Sequence, residues 1–138
     1  MKITARVQNG QDKHLVTLDT NGNKHALAIA PRATGLGSSA NGGELLFLAL
    51  ATCYCNDIYR EAAKFGIRVE SVEVEVEGDF GAEGEPAQNV TYRAKVTAAA
   101  NEEAIRDLMQ HTDGMAEIQN TLRFSTPVTL SQVDVVSV

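Results

Sequence analysis

The chain of 138 residues has no tryptophan, two cysteines, three histidines and three prolines, and aromatic residues make up only 5% of it. Neither CxxC nor any other cysteine pairing suited to zinc is present, and His14, His25 and His111 are scattered, so no metal site is expected and no cofactor. Positive charge is also short. Twelve Lys and Arg stand against 18 Asp and Glu, for a net charge of -6 and a sequence pI of about 5.0. With no basic patch to offset that balance, a phosphate backbone would be repelled, and nucleic acid is not an expected partner. The longest nearly uncharged run, Leu45 to Cys55, falls far short of the roughly 20 residues a membrane span needs. The N-terminus MKITARVQNG alternates apolar and polar residues and lacks the apolar core of a signal peptide, so no membrane partner is expected and the cytoplasm is the expected compartment. The glycine-rich segment PRATGLGSSANGG contains neither GxGxxG nor GxxxxGK[ST], which favours a connecting loop over a phosphate cradle. No GxSxG marks a serine nucleophile.

What is present is an ordinary globular composition, 43% hydrophobic, in a length that suits one domain over 1–138 and buries roughly two thirds of the unfolded surface. The chain is organised around Asn41 to Gly66, NGGELLFLALATCYCNDIYREAAKFG, which holds both cysteines and the densest apolar run. Good helix formers, no internal proline and a closing Gly66 predict one long helix. From Leu45 to Tyr54 it is apolar all round; from Asn56 to Lys64 it is amphipathic. A helix apolar on every side must be covered on every side, so a second copy of the chain is the expected partner, in a homodimer.

Three strands are predicted before this helix, Lys2 to Gln8, Lys13 to Asp19 and Lys24 to Ala30, joined at Asn9-Gly10 and Asn21-Gly22-Asn23 as an antiparallel meander. After it, Val72, Val74 and Val76 alternate with Glu73, Glu75 and Glu77, and Val90, Tyr92, Ala94 and Val96 alternate with Arg93 and Lys95. These two runs predict an antiparallel hairpin that sets the glutamates across from the two basic residues, a solvated sheet face rather than a metal site. Asn101 should cap a helix carrying Ile105, Leu108 and Met109 inward, interrupted at Thr112 to Gly114 and followed by a segment from Met115 to Arg123. Val128 to Val136 reads as a final strand. The order βββ, long α, ββ, αα, β lacks strand-helix alternation, and the class is α+β with antiparallel sheets around a central helix.

Cys53 and Cys55 lie about 200° apart around a helix axis, so they cannot easily bridge one another, and free thiols suit a reducing compartment. By residue type alone, a cysteine on an apolar helix is more often core than nucleophile. The run GELLFLALATCYCNDI, entered from the loop opening with PR and followed by a strand reading VEVEVEGDF, together with the later IQNTL, resembles the osmotically inducible protein C and organic hydroperoxide resistance (OsmC/Ohr) family. The resemblance covers nearly the whole chain. It implies an intertwined homodimer in which Cys53 attacks a hydroperoxide as a thiolate, a second cysteine condenses with the sulfenic acid, and an external dithiol of the lipoyl type restores the thiol. Aligned on these motifs, the second cysteine falls at Ala116, the family arginine near Gln11, and the family glutamate at Gly43 or, one residue on, Glu44. The implied site is Cys53 with Glu44 and with Arg32, which like Arg6 could replace the family arginine only from a different position, and Cys55, His111 and Asp113 are accessory candidates. Thiol-dependent reduction of organic hydroperoxides is the implied function, and a binding protein for a small apolar or thiol-containing ligand is the alternative.

Overall fold

A computed structural model describes residues 1–138, which fall into two compact units, Met1–Leu46 and Phe47–Val138. The first unit is an antiparallel meander of β1 (Ile3–Gly10), β2 (Lys13–Thr20) and β3 (Asn23–Ala26). Strands β1 and β2 pair in register from Ile3 opposite Thr20 to Gly10 opposite Lys13. The turn into β3 places Asn21 and Gly22 at positive φ, where the Asp19 carboxylate accepts from Gly22 N–H at 2.7 Å. Strand β3 ends at Ala26, short of the predicted Ala30, because from there the chain turns into the loop that Pro31 and Ser38 close with a single bridge.

The long helix α1 (Gly42–Lys64) starts in a reciprocal cap. Glu44 N–H donates to Asn41 Oδ1 at 2.8 Å, and Asn41 N–H donates to Glu44 Oε1 at 3.0 Å. Gly66, at φ 67, ends it.

In the second unit, β4 (Arg68–Asp79) and β5 (Gln88–Ala99) form the predicted hairpin, with Glu73 opposite Lys95 and Glu75 opposite Arg93. Val72, Val74 and Val76 are half-buried on its other face while the glutamates are exposed. The core forms where that apolar face meets the helices. Tyr54, Ile58, Ala62 and Leu108 are buried, and Val72, Val74, Tyr92, Ala94, Val96 and Met109 close around them.

Helix α2 (Glu102–Met115) begins at Asn101, whose Oδ1 accepts from Ala104 N–H at 2.8 Å. The predicted interruption at Thr112 to Gly114 does not occur. Thr112 Oγ1 donates to Leu108 O at 2.7 Å within the helix, and the break comes at Ala116, which is fully buried and extended at φ -72, ψ 105. Helix α3 (Glu117–Arg123) follows. Val128 to Val136 is not a strand: alternation alone makes none without a neighbouring ladder, and none of the chain's strands pairs with it. Its valines and Leu130 stand exposed. No helix is long and apolar enough to cross a membrane.

Candidate functional site

Four polar side chains project from one face of α1 below the apolar half: Asp57, Arg60, Glu61 and Lys64, at four, seven, eight and eleven residues after Cys53. The Cys53 thiol donates to Asp57 Oδ2 at 3.4 Å and lies 3.8 Å from Glu117 Oε2 on the first turn of α3. The Ile118 backbone amide also reaches the sulfur. Arg60 ties the carboxylates together. Its Nη1 is 3.0 Å from Asp57 Oδ1 and 3.0 Å from Glu117 Oε1, and its Nε donates to Glu61 Oε1 at 2.8 Å. Gln119 Nε2 donates to Leu50 O at 3.0 Å, one turn before Cys53 on α1. Cys53 is thus bracketed, with α3 fastened to α1 by Gln119 on one side and by Arg60 and Glu117 on the other.

The electrostatics of this corner are set by burial and by negative charge. Burial pushes the Cys53 thiol up, Asp57 and Glu117 add to that push, and the Ile118 amide opposes it. Asp57, 5% exposed, is also raised, first by burial and then by Glu117. Glu117 is lowered, chiefly by its own backbone amide, with Asp57 and Arg60 contributing. The two carboxylates therefore divide: Glu117 holds its charge, and Asp57 holds a proton more readily than an ordinary aspartate. Cys53, Asp57 and Glu117 bring ligand-type atoms within 4.8 Å of one another, but the Arg60 guanidinium already lies on both carboxylates and supplies their cation.

Within the second unit, His111 and Asp113 are engaged by groups other than Cys53. His111 Nε2 is 3.1 Å from Glu61 Oε2, and its ring meets Phe65 edge-on at 5.3 Å. Asp113 accepts from Tyr92 Oη and pairs with Arg123 at 2.6 Å; burial works against its charge, but Tyr92 and Arg123 hold it below the usual aspartate range. Neither bonds Cys53. Cys55 and Cys53 are both free thiols. Ala116 leaves no thiol at the junction of α2 and α3. In the first unit, the Glu44 carboxylate caps α1, and Arg32 is exposed in the loop, its N–H donating to Gly37 O at 3.0 Å and its side chain lying against Gly37. Asp57, Arg60 and Glu117 are the partners that motif matching missed. For the first two the signal is helical spacing from Cys53; Glu117 lies 64 residues away and only the fold delivers it.

A second feature of the same unit is an open cleft of about 440 Å³ lined by Tyr54, Tyr92, Ala94, Arg106, Met109 and Asp113. Tyr54 Oη, pushed up to about 12 by burial and by Asp113, keeps its proton and donates it to Met109 O at 2.8 Å.

Residues 35–131 match the family described as OsmC-like protein. No curated protein matches the chain. Among solved structures, the chain is similar to an OsmC-like protein from Mycoplasma pneumoniae, with 18% identity over 88% of this chain and 86% of that one and a TM-score of 0.61. An organic hydroperoxide resistance protein OsmC from Legionella pneumophila shares 23% identity over 89% of this chain and 90% of its own, with a TM-score of 0.57. One from Elizabethkingia anophelis, described as an organic hydroperoxide resistance protein, shares 18% identity over 89% of each chain, with a TM-score of 0.52. These likenesses establish the fold, an α+β arrangement of antiparallel sheets and three helices.

Proposed function

Because this chain belongs to the family of OsmC-like proteins, we propose that it reduces organic hydroperoxides with Cys53 as the attacking thiol. The observation that carries the reading is the setting of Cys53: half-buried, 3.4 Å from one carboxylate oxygen and 3.8 Å from a second whose carboxylate is ion-paired with Arg60. The Cys53 thiolate forms a bond to the distal peroxide oxygen, the O–O bond breaks, and its electron pair leaves on the alkoxide, which is protonated to the alcohol. Sulfur is oxidised to the sulfenic acid. With Ala116 in place of a second thiol, an external dithiol condenses with the sulfenic acid, releases water, and then displaces Cys53 by closing its own disulfide.

The protein acts as a homodimer. Leu48, Thr52, Cys55 and Tyr59 recur at helical spacing on one face of α1, and Leu48 and Tyr59 are 57% and 45% exposed, an apolar stripe that a second copy would cover. Light scattering should give twice the 14.8 kDa chain mass.

Purified protein should consume cumene hydroperoxide with dihydrolipoamide or dithiothreitol as reductant. A rate no higher than that of Cys53→Ser rejects the reading. A second reading, a binding protein for a small apolar ligand, is favoured by the cleft beside Tyr54 and by a thiol that its surroundings hold protonated. A ligand that copurifies in native mass spectrometry, with Cys53 inert to peroxide, would establish it.

A further inference from the structure

The reduction proposed above leaves a chemical question that its thiol alone does not answer. Cys53 must lose a proton before attack, and the departing alkoxide, a strong base, must gain one. In this pocket burial and the neighbouring carboxylates hold the thiol protonated, so its proton has to be handed on as the attack on the peroxide proceeds. Arginine, the residue most able to stabilise a thiolate directly, does not perform that task here: the Arg60 guanidinium is committed to Asp57, Glu61 and Glu117. The side-chain atoms that hydrogen-bond Sγ are Asp57 Oδ2 and Glu117 Oε2, contributed by the two elements that meet there, α1 and α3, while the Ile118 amide offsets the upward push on the thiol only in part.

Resting on the thiol-peroxidase reading, we infer that Asp57 is a catalytic residue of this site, taking the proton from Cys53 and returning it to the leaving alkoxide. Geometry distinguishes it from Glu117. Asp57 Oδ1 is tied to Arg60 at 3.0 Å, which leaves Oδ2 turned to the sulfur at 3.4 Å, whereas Glu117 is farther from the sulfur and its side chain is 63% exposed. Asp57 is buried, and burial makes it more basic than an exposed aspartate while Glu117 keeps its charge. One proton is shared by the pair until the O–O bond breaks, and it then leaves on the alcohol. It passes from sulfur to Oδ2 as the thiolate forms, and from Oδ2 to the alkoxide oxygen as the O–O bond breaks, which restores the Asp57 carboxylate. The products are Cys53 sulfenic acid and alcohol. Arg60 is a positioning residue for Asp57.

The test uses two reactions of the same sulfur that differ in their need for a proton donor. Iodoacetamide alkylation requires only thiolate. Single-turnover oxidation by cumene hydroperoxide, trapped with dimedone and read by intact mass, requires thiolate and a protonated leaving group. In a Cys55→Ser background, so that only Cys53 reports, Asp57→Asn removes a negative charge and a hydrogen-bond acceptor from beside the sulfur. It should therefore speed alkylation at neutral pH while slowing oxidation by on the order of 10²-fold, the usual scale of a lost general acid-base. A variant in which both rates rise together makes Asp57 a repulsive neighbour and overturns its catalytic role, with the peroxidase reading intact. Absence of any dimedone adduct in the protein carrying Asp57 overturns the peroxidase reading and this inference with it.

The pH profile with Asp57 present reads the same role without relying on the folding of a variant. Oxidation should fall at the alkaline end, where the pair has lost its shared proton, in the range in which alkylation reaches its plateau. Parallel profiles that share one plateau overturn the role.

Discussion

His111 Nε2 lies 3.1 Å from Oε2 of Glu61, a carboxylate only 1% exposed that also holds Arg60 and Lys64. Three basic groups from two helices thus converge on one buried acid. Arg60 foremost, then Lys64, pull Glu61 down to about 2 against the opposing effect of burial. A carboxylate lowered on folding adds stability that is complete above its unfolded value, near 4.3, and is lost as pH falls toward its folded value. The thermal midpoint should therefore drop as pH is lowered from about 5 to about 2. Glu61→Gln should lower the midpoint at neutral pH and flatten that acid limb, as calorimetry across the range will show.

Core substitutions should separate a hydrogen bond from a cavity. Tyr54→Phe keeps the ring against Tyr92 and removes only the bond to Met109 O, a loss of about 1 kcal/mol. Ile58→Ala, at a fully buried position, removes apolar contacts and leaves a void, a loss of roughly 2–5 kcal/mol. Urea titration should rank the two in that order.

Gly78 lies at a shift in register between β4 and β5, where a Cβ would come within 2.9 Å of Phe47 Cζ and 3.1 Å of Val90 Cγ2. Phe47 is itself stacked on Phe80 at 5.8 Å. Gly78→Ala should destabilise by about 1–3 kcal/mol through overpacking. A neutral result in chemical denaturation would mean that Phe47 swings aside freely.

At the start of α2, Asn101→Ala removes the Oδ1 acceptor for Ala104 N–H and should cost about 1 kcal/mol, whereas Asn101→Asp should be nearly neutral. Hydrogen exchange of the Ala104 amide is the local readout.

The parts of the fold legible in the sequence are those decided by local periodicity. The pairing of Glu73 with Lys95 and Glu75 with Arg93 follows from alternation and a short connection, and the long helix follows from its composition and Gly66. The failures have physical causes. Gly114 looked like a breaker, yet the helix runs through it, because Thr112 bonds within the helix and the turn toward α3 is made at buried Ala116. Val128 to Val136 has the pattern of a strand and lacks a ladder to join. At the site, Cys53 stood out by its motif, while Asp57 was missed although its four-residue distance from Cys53 along one helix is a signal that could have found it. Glu117 gave no local sign, since only the fastening of α3 to α1 carries it to the sulfur.

Arg60 serves both the thiol corner and the buried Glu61, through different nitrogens of one planar group. A lysine brings a single ammonium and cannot reach both sets in that geometry. A change at position 60 is therefore felt twice over: it would free the carboxylates beside Cys53 and would also loosen the junction of α1 with α3 and leave Glu61 with less opposing charge.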